Sequence, residues 1–386
     1  MTENPAIPPL SDVSREVVRA TLPVVAEHAT EITGVFYASM FAAHPELLDL
    51  FNQGNQANGR QRAALAAAVV AYGGHLTGTG PARPDFGPIA ERIAHKHVSL
   101  GIRPDQYLVV GRHLLEAVVT VLGVGPDVVA AWHEVYWLLA CELIAAEARL
   151  YASAGVEPVS VWRRWRVAKR QDEAVDTVSF TLVPDDGGPV PDFHPGQYVS
   201  VAVDLPDGHR QPRQYSLSQG PGRGCLRITV RRVGGGAVSN FLHDHVRADD
   251  TVLVGPPAGD TALADGTDPV VLISAGVGVT PMAAMLDHLS HTQPTRPVVL
   301  AHAERSADRH AHHAEMTHLA ATMTSVETRT AHGHALDVDE IPLPDNAHAY
   351  LCGPIPFMHG VRAALLDRGV PADRIHYEVF GPGMYS

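Results

Sequence analysis

Cysteine is scarce. Cys141, Cys225 and Cys352 are the three in 386 residues, too few and too scattered for a disulfide framework or a thiolate metal site, and a reducing, cytoplasmic setting fits them. Positive charge is the rarer sign: 29 Lys and Arg face 42 Asp and Glu, giving a formal net charge of −13 and a pI of about 5.9. That balance argues against a nucleic acid or an anionic membrane held by a basic surface and leaves small molecules as the expected partners. No positive-then-apolar stretch opens the chain. The longest apolar run, around Ala63 to Tyr72, is too short to span a bilayer, so a soluble protein without a membrane anchor is expected. With 45% hydrophobic and 18% charged residues the chain is neither disordered nor collagen-like, and its length suits two or three domains. Histidines are plentiful, 23 in all. His310, His312, His313, His332 and His334 lie among Asp, Arg, Ala and Gly in no recognised metal spacing, and read as solvated surface residues.

From Ser11 to Tyr151 the pattern is helical, broken at Pro45, Gly54 to Gly59, Gly78 to Pro88, Pro104 and Gly123 to Pro126. After Pro158 come short alternating or β-branched runs, Val175 to Val183, Tyr198 to Val203 and Leu226 to Val233, which predict an antiparallel β-barrel. Beyond Pro269, VVLISAG, PVVLAHA and HAYLCGP alternate with helical stretches, the signature of a parallel α/β sheet. The expected fold class is therefore multidomain: an all-α domain over 1–151, a linker over 152–158, a barrel over 159–265 and an α/β domain over 266–386.

ERIAHKHVSLGIRPDQY, Glu91 to Tyr107, offers one imidazole to an apolar helix face. Steps of three and four from His97 reach Ile93, Ala94, Leu100 and Gly101; from His95 they reach Glu91, Arg92, Val98 and Ser99. His97 is the inward one, either a satisfied core histidine or a metal ligand. Glu147 shares a face with Tyr136, Ala140, Leu143 and Ile144, and Tyr107 with Val110, Gly111, Leu114 and Leu115. A buried carboxylate and a buried phenol both need partners, and an inward imidazole would serve both.

GVFYASMF, HPELLDLFN, NGRQRAAL, ERIAHKHVSLGI and PDQYLVVGRHLL resemble the globin domain of the flavohaemoglobins. The resemblance implies haem b with iron held by His97, and Tyr107 and Glu147 as the hydrogen-bonded partners of that histidine. It puts Tyr37, Gln61 and Leu65 on the distal side, Phe51 against the haem, and Lys96, next to the ligand, in redox tuning. Apart from the family, Tyr37 is a core tyrosine, Gln61 an exposed residue of a helix first turn and Lys96 a solvated charge.

In RQYSLSQG, strand alternation sends Arg213 and Tyr215 to one face and Gln214 and Ser216 to the other. A guanidinium suits a pyrophosphate and an aromatic suits a flat ring. GGGAVSNFL is a glycine turn running into a helix, whose free N–H groups can take phosphate oxygens. In this order the two motifs resemble the FAD-binding domain of the ferredoxin-reductase family. The resemblance implies contacts from Arg213 to the pyrophosphate, from Tyr198 and Tyr215 to the ribityl and ring region, and from Ser216 near the reactive flavin nitrogen. Gln214, Gly235, Gly236, Val238 and Ser239 complete the implied FAD site.

VVLISAGVGVTPM is a buried strand, a glycine turn and a helix start, a geometry that cradles pyrophosphate. Gly276, Gly278 and Pro281 depart from GxGxxG in the way this reductase family does. The implied nicotinamide site takes in Gly276, Val277, Gly278, Val279, Thr280 and Pro281, with Cys352, Gly353 and Pro354 at the end of a later strand. The C-terminal Glu378, Val379, Phe380, Gly381 and Pro382 are placed by the same resemblance at the flavin, Phe380 covering the ring and Glu378 affecting its redox behaviour. Arg305, just past a strand, could read a 2′-phosphate or be solvated, so NADH and NADPH both stay open.

By resemblance the chain is expected to be a nitric oxide dioxygenase, a cytoplasmic monomer that uses NAD(P)H and O2 to turn nitric oxide into nitrate. Two other functions compete: a haem gas sensor or carrier whose reductase keeps the iron ferrous, and an FAD-dependent reductase of peroxides, quinones or ferric complexes.

Overall fold

The computed structural model describes residues 9–51, 59–79 and 86–378, without the side chains of Arg60 and Gln61. Val379, Phe380, Gly381, Pro382 and the Gln61 side chain thus lie outside the described residues. Two compact units emerge among the described residues: the helices through Val161 with Pro206–Pro212, and Trp162–Leu205 with 213–378.

The first unit is built from α1 (Asp12–Glu27), α2 (Ala29–Ala43), α3 (Arg60–Thr77), α4 (Gly87–Leu100), α5 (Gln106–Leu122) and α6 (Pro126–Ala154). The expected breakers set the ends. Gly101 closes α4 in the left-handed region at φ 78°, and the Ile102 N–H turns back to the His97 carbonyl at 3.1 Å, so the last turn of α4 is fixed where His97 sits. Pro88 and Pro126 occupy first turns, where the missing N–H costs nothing. Helix α6 runs through Ala154. By length and composition it could cross a membrane, with a mean hydropathy of 1.4 over one window, a property no single uninterrupted run revealed. In this fold its stripe of Trp132, Val135, Ala140 and Leu143 is buried in the helical core, with Phe36, Met40 and Leu114 from α2 and α5.

The second unit holds two sheets. Strands β1 (Arg163–Ala174), β2 (Thr177–Pro184), β3 (Tyr198–Asp204), β4 (Arg210–Ser216), β5 (Leu226–Arg231) and β6 (Thr251–Val254) lie in the order β4-β3-β6-β1-β2-β5, with antiparallel pairing. The two edges meet: Leu217 bridges Ile228, and the Ser218 N–H reaches the Arg227 carbonyl at 2.8 Å, closing the expected barrel and leaving no free edge there. Helix α7 (Ala237–His245) adds Val238 and Leu242 to the barrel core.

The other sheet is parallel, in the order β11-β10-β7-β8-β9: β7 (Val270–Ala275), β8 (Val298–Glu304), β9 (Val326–His332), β10 (His348–Cys352) and β11 (Ile375–Tyr377). Helices α8 (Val279–Thr292), α9 (His313–Thr322) and α10 (Ile355–Asp367) cover it. The chain moves outward from β7 to β9 and then restarts at β10 on the other side. This reversal opens a crevice between the ends of β7 and β10, where ligands bind in open α/β sheets.

The histidine-rich stretch corrects the sequence reading in part. His313 and His334 are exposed, but His310 and His312 are buried. The short turn Ala307–Arg309 folds the chain back so that the His310 ring stacks on His302 of β8, centroids 4.1 Å apart, while His312 meets Thr229 and Glu315. Among the described residues, no group of three or more His, Cys, Asp or Glu is arranged to hold a metal ion.

Candidate functional site

Side chains from three helices converge on one carboxylate oxygen. The Tyr107 hydroxyl, in the first turn of α5, donates to Glu147 Oε1 of α6 at 2.6 Å. His97 Nδ1, in the last turn of α4, lies 2.7 Å from the same oxygen and 3.0 Å from the phenol. Glu147 is 2% exposed. With Nδ1 given to that carboxylate, the tautomer is set and Nε2 remains on the far side of the ring. Burial first, and then the Glu147 charge, push the Tyr107 phenol well above its ordinary pKa, so it stays a donor.

Tyr136 supports this group from behind. Its hydroxyl donates to the Tyr107 carbonyl at 2.5 Å, and its ring occupies the place a side chain on Gly111 would take. The sequence reading placed Tyr136 on the buried face without giving it this role, because its partner is a backbone atom 29 residues away.

His97 opens onto a cavity of about 250 Å³ that Glu147 does not line. Tyr37, Phe51, Leu65, Lys96 and Tyr107 line it too, together with Val110 and Leu143, named from the sequence only as neighbours on a helix face, and with Met40 and Leu139, which sequence reasoning had not named. Tyr37 packs edge-on to Phe51, centroids 5.8 Å apart. Gln61 is in the first turn of α3. An apolar cavity of this size with one imidazole nitrogen left for a metal fits a haem held by His97.

In the barrel, Ser216 Oγ is buried without a hydrogen-bond partner among the described residues, as a group that awaits a ligand would be. Arg213 and Tyr215 share a face of β4; burial pulls the Arg213 pKa down and raises that of Tyr215. Gln214 Nε2 donates to Ser200 Oγ at 3.2 Å, and Tyr198 packs close to Gly259, whose added Cβ would fall 3.1 Å from the ring. Gly235, at φ 73°, and Gly236 lead into α7. Val238 is in the barrel core, and Ser239 Oγ is engaged with the Val233 N–H at 3.1 Å. These residues offer an arginine, a tyrosine and an orphan hydroxyl in one neighbourhood, which fits FAD.

At the crevice of the parallel sheet, Gly276 adopts φ 57° and a tight turn, Gly276–Gly278, leads from β7 into α8. A Cβ on Gly278 would stand 2.3 Å from the Cys352 carbonyl oxygen, and one on Gly353 3.2 Å from Ala275, so backbone meets backbone where only glycine fits. Val279 and Pro281 are buried, and Thr280 Oγ1 donates to the Val277 carbonyl at 3.0 Å. Pro354 caps α10. Cys352 is buried, and burial together with the nearby Glu378 raises its thiol pKa, keeping it neutral. One residue was missed: Arg231, from β5 of the barrel, brings Nη1 to 2.8 Å from where a Gly276 Cβ would be. A cation over a glycine turn suits a pyrophosphate, but no local motif signals it.

Residues 34–143 match the Globin family, 164–262 the Oxidoreductase FAD-binding domain family and 272–363 the Oxidoreductase NAD-binding domain family. The class is thus a globin joined to a flavin- and nicotinamide-dependent reductase. The chain belongs to the flavohaemoglobin family: it is 44% identical over 404 residues to the Flavohemoprotein of Bordetella parapertussis, covering 97% of this chain and 99% of that one. The Halalkalibacterium halodurans Flavohemoprotein is 40% identical over 407 residues, covering 97% of each. The flavohemoglobin of Malassezia yamatoensis, solved with bound FAD and heme, superposes with a TM-score of 0.88 at 32% identity over 96% of this chain and all of that one. This is an NAD(P)H-dependent flavohaem oxidoreductase whose cofactors are haem, FAD and a nicotinamide dinucleotide.

Proposed function

We propose that the protein is a nitric oxide dioxygenase, consuming nitric oxide, dioxygen and NAD(P)H and releasing nitrate. The observation that carries this reading is the convergence of Tyr107 and His97 on Glu147 Oε1. A carboxylate that accepts from a metal-binding imidazole makes it a stronger electron donor, which favours oxygen activation over reversible storage. The reductase half of a Vibrio cholerae protein named Nitric Oxide Dioxygenase is 40% identical to this chain over 57% of its length, with a TM-score of 0.54, and supports the same reading.

Haem, FAD and nicotinamide supply the redox chemistry when bound. The residues of the chain divide the remaining work. His97 would hold the iron, Glu147 meets the Nδ1 side of its ring, and Tyr107 keeps that carboxylate in place. Tyr37 and Gln61 would act as hydrogen-bond donors toward a bound gas, Leu65 would limit the space and Phe51 would pack on the haem; Lys96, next to His97 in the sequence and lining the same cavity, would tune its potential. Arg213 and the glycines Gly235 and Gly236 hold phosphate, Tyr198, Gln214, Tyr215 and Ser216 orient the flavin, and the turn at Gly276 to Gly278 seats the dinucleotide. A cytoplasmic monomer belongs to the same reading.

The test is repeated addition of nitric oxide to the aerobic, cofactor-loaded protein with NADH. Consumption over many equivalents with nitrate as product is expected. Consumption that stops after one equivalent per haem would make the protein a sensor or carrier. A His97→Ala protein that keeps its main NAD(P)H oxidation rate would make it a reductase.

A further inference from the structure

The two oxygens of the Glu147 carboxylate are not equally served. Oε1 takes Tyr107 and His97, whereas Oε2 is buried with no hydrogen-bond partner among the described residues. The residue is 2% exposed, so bulk water does not supply one. A bond left unmade by a buried acceptor is costly, and most costly when the acceptor is charged.

A pocket of about 270 Å³ adjoins this carboxylate. Glu147 lines it; His97 and Tyr107 do not. Its walls at Pro104, Ile144, Ala148, Ala152 and Val156 are apolar and offer no side-chain donor. The remaining polar side chains offer none either: the Tyr151 hydroxyl already donates to the Ile102 carbonyl at 2.8 Å, and Glu157, which is exposed, is an acceptor when ionised. No Lys, Arg or His lines the pocket. The end of α6 adds to the same sign. Its last two turns supply Ala148, Tyr151 and Ala152 to the wall, the negative end of the helix dipole falls there, and its last turn carries no basic residue.

We propose that this pocket binds a small organic cation, an N–H donor head on an apolar body, with the head between Glu147 Oε2 and the Glu157 carboxylate. Two acceptors, a helix C-terminus and apolar walls complement such a molecule in charge and in surface. Water fits less well, because a buried water wants two to four polar partners and most of this lining is hydrocarbon. The occupant would reach the iron through the carboxylate. A donor at Oε2 draws charge from Oε1, the contact to His97 Nδ1 weakens, and the imidazole becomes a poorer electron donor. No proton changes place in this. The site rests on packing and charge; its effect on the iron rests on His97 as the ligand.

The probe is n-butylguanidinium, whose head stays protonated and so does not compete for the haem iron as a free amine would. Crystals of the full-length holoprotein soaked with it should show the head within hydrogen-bond distance of Glu147 Oε2, and titration calorimetry should show binding in solution. Ala148→Leu fills the pocket and should abolish binding. Glu157→Gln should weaken it by up to about 5-fold, the range of an exposed ion pair. The neutral analogue n-butylurea should bind more weakly than the cation. No binding, equal binding of the urea, binding that Ala148→Leu leaves intact, or an ordered water that the cation does not displace overturns the site. The second readout is the iron–histidine stretch of the ferrous protein, which should move to lower frequency when the pocket is filled; an unmoved band overturns the coupling. Neither measurement needs turnover. If the unliganded ferrous protein shows no iron–histidine band, the assignment of His97 fails while a seated cation still upholds the site, whereas a normal band with an empty pocket keeps His97 and ends the proposal.

Discussion

The ring of Tyr136 lies so close to Gly111 that a Cβ added there would be 2.4 Å from Tyr136 Cε1. Gly111→Ala should therefore push the ring away and break the bond from the Tyr136 hydroxyl to the Tyr107 carbonyl. Overpacking of this kind costs about 1–3 kcal/mol. Denaturant unfolding monitored in the helical unit should show a loss in that range; an unchanged midpoint would mean that Tyr136 has somewhere else to go.

Removing the phenol isolates the contribution of Tyr107. In Tyr107→Phe the His97 to Glu147 contact at 2.7 Å remains, but the donor at 2.6 Å is gone. Partners of a metal-binding histidine are worth about 10-fold or more in activity. Turnover should drop by about that factor with haem content little changed, and the iron–histidine stretch in the Raman spectrum should shift. Glu147→Gln should act in the same direction and further, because the amide replaces the charge on which both donors converge. Turnover equal to the parent in both variants would sink the role assigned to the carboxylate.

The glycine turn allows the two redox steps to be separated. Gly278→Ala would set a Cβ 2.3 Å from the Cys352 carbonyl, backbone that cannot swing aside. A displacement of about 1 Å in a bound reactant can cost about 100-fold in rate. Stopped-flow reduction of the flavin by NADH should slow by that order, whereas chemical reduction by dithionite and the haem spectrum should be unaffected. Equal slowing of both reductants would point to a damaged flavin site instead.

The buried histidines predict a one-sided response to acid. Burial first, and then the neighbouring imidazoles, hold His302 down to about 3 and His310 down to about 4, against an ordinary value of 6.5. Both are neutral in the folded protein through the range where the unfolded chain already binds protons. The folded state is therefore at its full advantage above pH 6.5, loses stability as the pH falls from there, and stops losing it on this account once the folded groups titrate near 4 and 3. Thermal unfolding of the reductase unit should show its midpoint falling between pH 6.5 and 4, and His310→Gln should flatten that slope. A slope that His310→Gln leaves as steep would assign the acid sensitivity to other groups.

Most of the framework was readable from short-range pattern. Helix ends fell at the expected prolines and glycines, because those residues act locally on φ and on the N–H supply. The inward faces of His97, Tyr107 and Glu147 followed from three-and-four spacing alone, since a helix converts spacing into direction. The fully buried β7 read as an uninterrupted apolar run for the same local reason. The burial of His310 and His312 was not readable: their neighbours in sequence are polar, and the turn that folds them under β8 is visible only once the sheet exists.

By itself, then, the sequence determined which residues face inward and in what order the helical, barrel and α/β parts come, because backbone periodicity and turn chemistry act over a few residues. Tertiary structure alone decided that one oxygen of Glu147 serves both His97 and Tyr107, that Leu217 meets Ile228 to close the barrel, and that Arg231 reaches the turn at Gly276. Each of those is a meeting of side chains or strands from separate elements. Such meetings depend on how helices and sheets pack, which no local window of the chain contains.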